Sequence, residues 1–408
     1  MSFDLRPVTE DEWPAYVRAV EAAFGSHPDD EDVTAWRSMT DIDRTLAVFE
    51  GDRIVGNAGA FSLELTVPGD ATIPMAGVTA VGVRSTHRRK GVLTAMMRKQ
   101  LEDIRDRGDP MAGLYASESI IYGRFGYGIA SSQVQIAIDT DRADYRSPLP
   151  EGRLDIVDSA GAAKILPEVF DRSRRQTPGD VTRSAAWWDI FFKDKEKDRR
   201  GASALFFVVH ESEPGQADGY VAYRVKGDWP SGLPGATIGI HDMAWTSDAA
   251  YTNLWRQVLD VDLVTKVDSW KRPVDEPLRW LLADPRRMQV KALTDELWLR
   301  PIDVPACLTA RSYPNEDRIV LEVVDEFLTS SAGRFALDAG PDGATCTPTT
   351  DSADLTVGVA ELGSIYLGGV AASALARAGR ADEHTSGSLR RADLLFSSPR
   401  APYCRTMF

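Results

Sequence analysis

The chain has little cysteine, little histidine and no excess of positive charge. Its three cysteines, Cys307, Cys346 and Cys404, are odd in number and confined to the last part of 408 residues, which excludes a disulfide framework. The five histidines show neither HExxH nor a paired spacing, and no two cysteines have a zinc-like separation. Neither a structural nor a catalytic metal is therefore expected. A formal net charge of −14 argues against nucleic acid as the main partner, since phosphate recognition rests on basic surfaces. The same charge draws in cationic substrates and is equally an ordinary solubility device. No run approaches the ~18 apolar residues of a membrane span. Met1 to Arg6 also lack a charged and then apolar leader, so a soluble, cytoplasmic protein is expected.

A chain of 408 residues exceeds the size at which one core keeps growing, so two or three domains are expected. The most informative stretch runs from Val81 to Met97. Alternation through Val78, Val81 and Val83 reads as a strand, and Val92, Leu93, Met96, Met97, Leu101 and Ile104 recur at helical spacing. Between them stand Arg88, Arg89, Lys90 and Gly91. The first N–H groups of a helix lack intrahelical partners and its dipole is positive there, so an anion is the natural ligand. Glycine removes the Cβ that would hold a phosphate off the backbone, and arginines add charge-assisted hydrogen bonds. A surface helix with a solvated basic turn is the plainer alternative. The order strand, basic loop, glycine, amphipathic helix favours a pyrophosphate site.

The first segment reads as strand, helix, helix, hairpin, strand and basic helix. Leu5 to Val8 lead to an N-cap at Thr9 or Asp11, with Glu12 completing a possible capping box, and Trp13, Val17, Val20 and Phe24 mark the apolar face. Asp32 to Trp36 begin a second helix, and Leu46–Phe49 turn through Gly51 and Asp52 into Ile54–Ala58. After a linker near Ser147–Gly152 the same order returns, which reads as a duplication. Its last helix follows Thr246-Ser247-Asp248, an ordinary cap without glycine or basic triplet, so the second copy is read as structural. Leu297–Pro301 opens a third region, with strands at Ile319–Val323, Gly333–Leu337 and Leu355–Val357 and helices at 362–367 and 371–375, an α+β pattern. The chain closes on Thr406-Met407-Phe408, and a terminal aromatic ordinarily means a docked tail in a hydrophobic notch.

Arg88-Arg89-Lys90-Gly91-Val92-Leu93 resembles the acetyl-CoA loop of the GNAT acetyltransferase superfamily, Q/R-x-x-G-x-G/A, with Leu93 in place of the last small residue. Leu114–Ser117 reads as the next strand, and Tyr122-Gly123-Arg124-Phe125-Gly126-Tyr127 resembles the YxxxGF signature. Together these segments resemble the enhanced intracellular survival (Eis) family of aminoglycoside N-acetyltransferases, over essentially the whole chain. The resemblance implies tandem GNAT folds and a sterol-carrier-like α+β domain, divided as 1–146, 147–295 and 296–408. It implies acetyl-CoA as cosubstrate and a homohexamer.

The resemblance also implies roles. The C-terminal carboxylate of Phe408 is the expected general base and Tyr122 the expected acid to the CoA thiolate. Backbone N–H groups of Val81 or Val83, flanking Gly82, are expected to face the thioester oxygen. Arg88, Arg89, Lys90, Gly91, Val92, Leu93 and Thr94 are expected at the pyrophosphate, and Ser117 and Glu118 beside the pantetheine arm. Trp36, Ser26, Ala80 and Met407 are the substrate-side candidates; the last three are neutral or small, where an aminoglycoside site would place acids or an aromatic wall. The acidic run Asp29–Asp32 suits an ammonium-rich ligand and equally a helix start. The expected substrate is a cationic amine, with protein lysine included. A non-catalytic protein that senses acyl-CoA or binds lipid through its third domain is the alternative.

Overall fold

The computed structural model describes residues 4–408, and its contacts divide the chain into two units, 132–295 and the remainder. The remainder begins with β1 (Asp4–Arg6), α1 (Trp13–Ala23), α2 (Asp30–Met39), β2 (Thr45–Glu50), β3 (Arg53–Thr66) and β4 (Thr72–Val83). It continues with α3 (Val92–Asp106), β5 (Met111–Tyr115), α4 (Ser119–Tyr122) and β6 (Gly128–Ile129). Trp13, Tyr16, Val17 and Val20 bury one face of α1. Phe24, expected on that face, is 55 % exposed because the helix has already ended at Ala23. The helix starts late as well. Glu12 accepts the Thr9 N–H at 2.9 Å, one half of the expected capping box, and also makes a two-pronged bond with Arg6, but the helix start itself has no side-chain cap. Along α3, Val92, Met96, Met97, Leu101 and Ile104 are buried as their spacing requires, joined by Gln100.

The second unit contains β7 (Ser132–Asp139), β8 (Arg153–Val157), α5 (Ser159–Arg174), α6 (Ala185–Lys193), β9 (Phe206–Glu213) and β10 (Gln216–Lys226). β11 (Ala236–Trp245), α7 (Asp248–Leu259), β12 (Val264–Pro273), α8 (Leu278–Leu281) and β13 (Met288–Asp295) complete it. Its seven strands run in the order β13-β7-β12-β11-β10-β9-β8. Trp255, Leu254 and Val267 centre one side of its core, and Phe170 and Trp188 the other. The boundary read near 147 lies inside this unit, because β7 pairs with both β12 and β13.

The chain then returns to the first unit through β14 (Leu297–Pro301). This strand does not open a third region, as its sequence suggested. It lies antiparallel between β5 and β6, giving a seven-stranded sheet of order β1-β2-β3-β4-β5-β14-β6. After α9 (Val304–Ala310), a five-stranded sheet forms from β15 (Asp317–Val324), β16 (Gly333–Gly340), β17 (Gly343–Pro348), β18 (Leu355–Gly358) and β19 (Ala381–Glu383). α10 (Val359–Ile365), α11 (Ala372–Arg377) and α12 (Ser388–Phe396) accompany it. Every residue of α10 is buried, which explains a segment as apolar and small as Val359–Ile365. No described helix is long and apolar enough to cross a membrane.

Candidate active site

The site begins where two strands part. β4 and β5 pair in parallel over Met75–Gly77 against Met111–Gly113 and stop there. β4 continues to Val83 and β5 to Tyr115, while β14 pairs the whole other edge of β5, with Leu297 opposite Tyr115. The cause on the β4 side is a bulge: Asn57 faces Gly82 and Gly59 faces Thr79, so Ala80 and Val81 together oppose Ala58. Ala80 takes a φ of 56°, a left-handed conformation that costs a residue with a Cβ about 1 kcal/mol. Asn57 Nδ2 donates to the Ala80 carbonyl, and the Ala58 carbonyl accepts from the buried Tyr16 hydroxyl at 2.6 Å. The bulge is thus held by groups that the sequence reading passed over. Polar residues at otherwise apolar positions, Asn57 on β3 and Tyr16 on α1, were the available signal.

Beyond the parting, β4 leads into the basic loop. His87, 8 % exposed, anchors this loop to β2 through Glu50 at 3.2 Å. Arg89 has a φ of 62° and Gly91 a φ of 82°, and Gly91 stands at the N-cap of α3 with no side-chain cap on the helix. A Cβ built on Gly91 would meet nothing within 4 Å, so its glycine answers to backbone conformation and open space, not to packing. Arg88, Arg89, Lys90 and Thr94 are exposed, Leu93 is half-buried, and Val92 is buried against β2 and β3 residues such as Val48 and Val55. A helix start without a side-chain cap, beneath a basic loop, fits the pyrophosphate of acetyl-CoA. The bulged strand, whose Val81, Gly82 and Val83 are all half-buried, fits its acyl arm.

Tyr122 ends the short α4 and is 5 % exposed, packed with Val78, Met97, Leu101 and Phe125. Burial, and then the Glu118 charge, raise its phenol above the ordinary value of 10, while a hydrogen bond with Ser117 pulls the other way. Ser117 and Glu118 are themselves exposed, on the turn that carries Tyr122. The turn is braced from β14: Arg300 Nε donates to the Phe125 carbonyl at 2.8 Å.

The tail reaches the same parting of strands. The Phe408 ring lies edge-on to Tyr115 with centroids 5.2 Å apart, and a Cβ on Gly77 would come within 3.1 Å of that ring. Phe408 therefore seats against the last β4 residue paired with β5. Thr406 is buried and Met407 is 56 % exposed.

The substrate-side candidates are only partly united. Trp36 and Ala80 share one cluster with Trp13, Tyr16 and Phe49. Ser26 lies in the exposed turn after α1, its hydroxyl bonded to Glu21. Of the acidic run, Asp29 and Asp32 form a reciprocal capping box at the start of α2, which is the helix-opening use of those charges.

The second unit repeats the strand geometry without the loop. β11 and β12 pair in parallel only from Ala236 to Gly239, and α7 is capped by Ser247 Oγ accepting from the Ala250 N–H at 3.1 Å. Past its parting, Trp245 on β11 and Arg272 on β12 meet, the guanidinium 5.2 Å from the ring centroid, and Arg272 binds Glu276 at 2.6 Å. A cavity of about 420 Å³ in this unit, walled by Ile156, Phe192, Leu205 and Phe206, contains none of the candidate site residues. Among the described residues no group of three or more His, Cys, Asp or Glu could hold a metal.

Comparison with known proteins matches this geometry to a family. Residues 4–130 and 179–301 each match a model described as an acetyltransferase (GNAT) domain, and residues 304–405 a sterol carrier protein domain. An uncharacterized N-acetyltransferase of Streptomyces avermitilis is 41 % identical over 99 % of both chains. The N-acetyltransferase Eis of Mycobacterium tuberculosis is 36 % identical over 98 % of both. The crystal structure of Eis1 from Mycobacterium abscessus superposes with a TM-score of 0.90 at 35 % identity, covering 99 % of this chain and 100 % of that one. The parted strands, the glycine-opened helix and the relatives agree, and the chain belongs to the Eis family of GNAT N-acetyltransferases, enzymes whose acetyl donor is acetyl-CoA.

Proposed function

We propose that the protein acetylates primary amines of aminoglycoside-like or other polyamine substrates, lysine side chains included, with Tyr122 as general acid and the Phe408 carboxylate as general base. What supports this reading is that three parts are set along β4 from where it leaves β5: the Phe408 ring against Gly77, Tyr122 in one cluster with Val78, and the Gly91 helix start on the loop that follows Val83.

Acetyl-CoA supplies an activated acyl group. A substrate ammonium has a pKa near ~10.4, so its neutral form at pH 7 costs roughly 4–5 kcal/mol unless a base accepts the proton. The Phe408 carboxylate takes that proton as the amine nitrogen bonds to the acyl carbon. Backbone N–H groups at Val81 or Val83 face the oxygen on which charge develops. As the carbon–sulfur bond breaks, Tyr122 gives its proton to the departing sulfur. A phenol and a thiol are close enough in basicity for that transfer to proceed without a large mismatch. The bulge at Ala80 keeps the β4 edge from pairing with β5, and the loop of Arg88 to Gly91 binds the diphosphate. Protomers assemble as a homohexamer in this reading.

Free thiol is followed on incubating the protein with acetyl-CoA and aminoglycosides, polyamines or lysine peptides. Amine-dependent release with one of these classes is expected, and silence across all of them refutes the reading. A chain extended by one glycine after Phe408 is expected to bind acetyl-CoA normally and to turn over at under 1 % of the parent rate.

A further inference from the structure

The last residues form no helix or strand, yet Tyr403, Cys404 and Thr406 are buried. Two side chains of the first sheet hold them. Glu296, just before β14, accepts the Cys404 N–H at 3.1 Å and the Ser131 hydroxyl at 2.7 Å through one oxygen. Tyr115, two residues beyond the last β5 residue paired with β4, donates its hydroxyl to the Thr406 carbonyl at 2.8 Å, with the Cys404 carbonyl 3.4 Å away. Its ring also meets the Phe408 ring at 5.2 Å and 70°. Of these anchors Tyr115 reaches both ends of the final tripeptide. The residue between them, Met407, is 56 % exposed and contributes little packing.

We propose that Tyr115 is the positioning residue of the terminal carboxylate, fixing it through the Thr406 carbonyl on one side and the Phe408 ring on the other. The inference rests on the reading of that carboxylate as base. Two rotatable residues separate Thr406 from the carboxylate, so restraint must come from both ends, and Gly77 leaves the room in which the ring is held. A group that must stand within hydrogen-bond reach of an attacking amine loses effectiveness steeply with small displacements. Tyr115 therefore acts on turnover without touching either substrate.

The test uses the full chain without a C-terminal tag. Tyr115→Phe keeps the ring contact and deletes the hydroxyl. It is expected to lower kcat about tenfold. The KM for acetyl-CoA stays within about twofold, and the acid limb of the pH profile of kcat/KM moves by about half a unit or more. Tyr115→Leu, which also removes the ring, is expected to lose about a hundredfold. A kcat within twofold of the parent and an unmoved acid limb in Tyr115→Phe overturn the proposal, as does a lower Tm in either variant with parent-like kcat. The glycine-extended chain separates the two readings. If it retains full activity, the base assignment fails; if it is inactive while Tyr115→Phe is unaffected, only the role of Tyr115 fails.

Discussion

Arg300 donates to Asp325 at 2.6 Å, and neither side chain is more than 1 % exposed. The same guanidinium bonds the Phe125 and Pro301 carbonyls, while the second Asp325 oxygen accepts the N–H groups of Phe327 and Leu328. One ion pair thus ties the turn that carries Tyr122 to β14 and to the segment after β15. Asp325→Ala strands a buried guanidinium and is expected to cost about 3–5 kcal/mol. Pairing it with Arg300→Met removes the stranded charge and is expected to recover much of that loss. Urea unfolding of the single and double variants measures both, and a single variant within 1 kcal/mol of the parent contradicts the account.

Gly91 combines a φ of 82° with open space above it. Gly91→Ala meets no neighbour, so its effect on the unliganded protein is the left-handed strain of about 1 kcal/mol. Gly91→Asp adds a negative charge where the diphosphate is expected and should raise the Kd for acetyl-CoA at least tenfold. Calorimetric titration distinguishes the two, and equal Kd values for Gly91→Asp and the parent place the diphosphate elsewhere.

Tyr122→Phe retains the ring in its core cluster and removes only the hydroxyl. Activity is expected to drop by about 10²–10⁴ while acetyl-CoA binding changes less than twofold. Steady-state kinetics beside a binding titration provide the check. Undiminished kcat excludes the phenol from proton transfer.

Burial drives the phenols of Tyr16, Tyr122, Tyr127, Tyr145, Tyr223, Tyr251, Tyr313 and Tyr366 above 10. Their sign is the same. In the unfolded chain each ionises near ~10, whereas the folded protein keeps the proton, so stability is full below pH 10 and falls as pH climbs toward the folded values. A steep alkaline unfolding transition is expected, with most tyrosinate absorbance appearing together with loss of secondary structure. Gradual ionisation of all eight in a still-folded protein contradicts the burial.

What could be read from the sequence was local. The glycine and basic residues that open α3, its apolar stripe, the Tyr122 turn and the ordinary cap at Ser247 are each set by neighbours within a few positions. Features made by distant partners were not legible. Leu297–Pro301 has the composition of any strand, and nothing in it names Met111–Tyr115 as its partner. Asn57, Tyr16, Tyr115 and Glu296 acquire their roles only when a bulge or the tail is brought against them.

The placement of β14 dictates an order of assembly. During synthesis, β1 to β5 emerge with the outer edge of β5 uncovered, and the strand that covers it follows only after all of β7 to β13. The second unit is therefore synthesised in full while the first sheet still has an open edge, a template for mispairing. Contacts of such long sequence separation close slowly. The sheet that begins the polypeptide therefore cannot gain its β14 strand until the whole of the second unit has been synthesised.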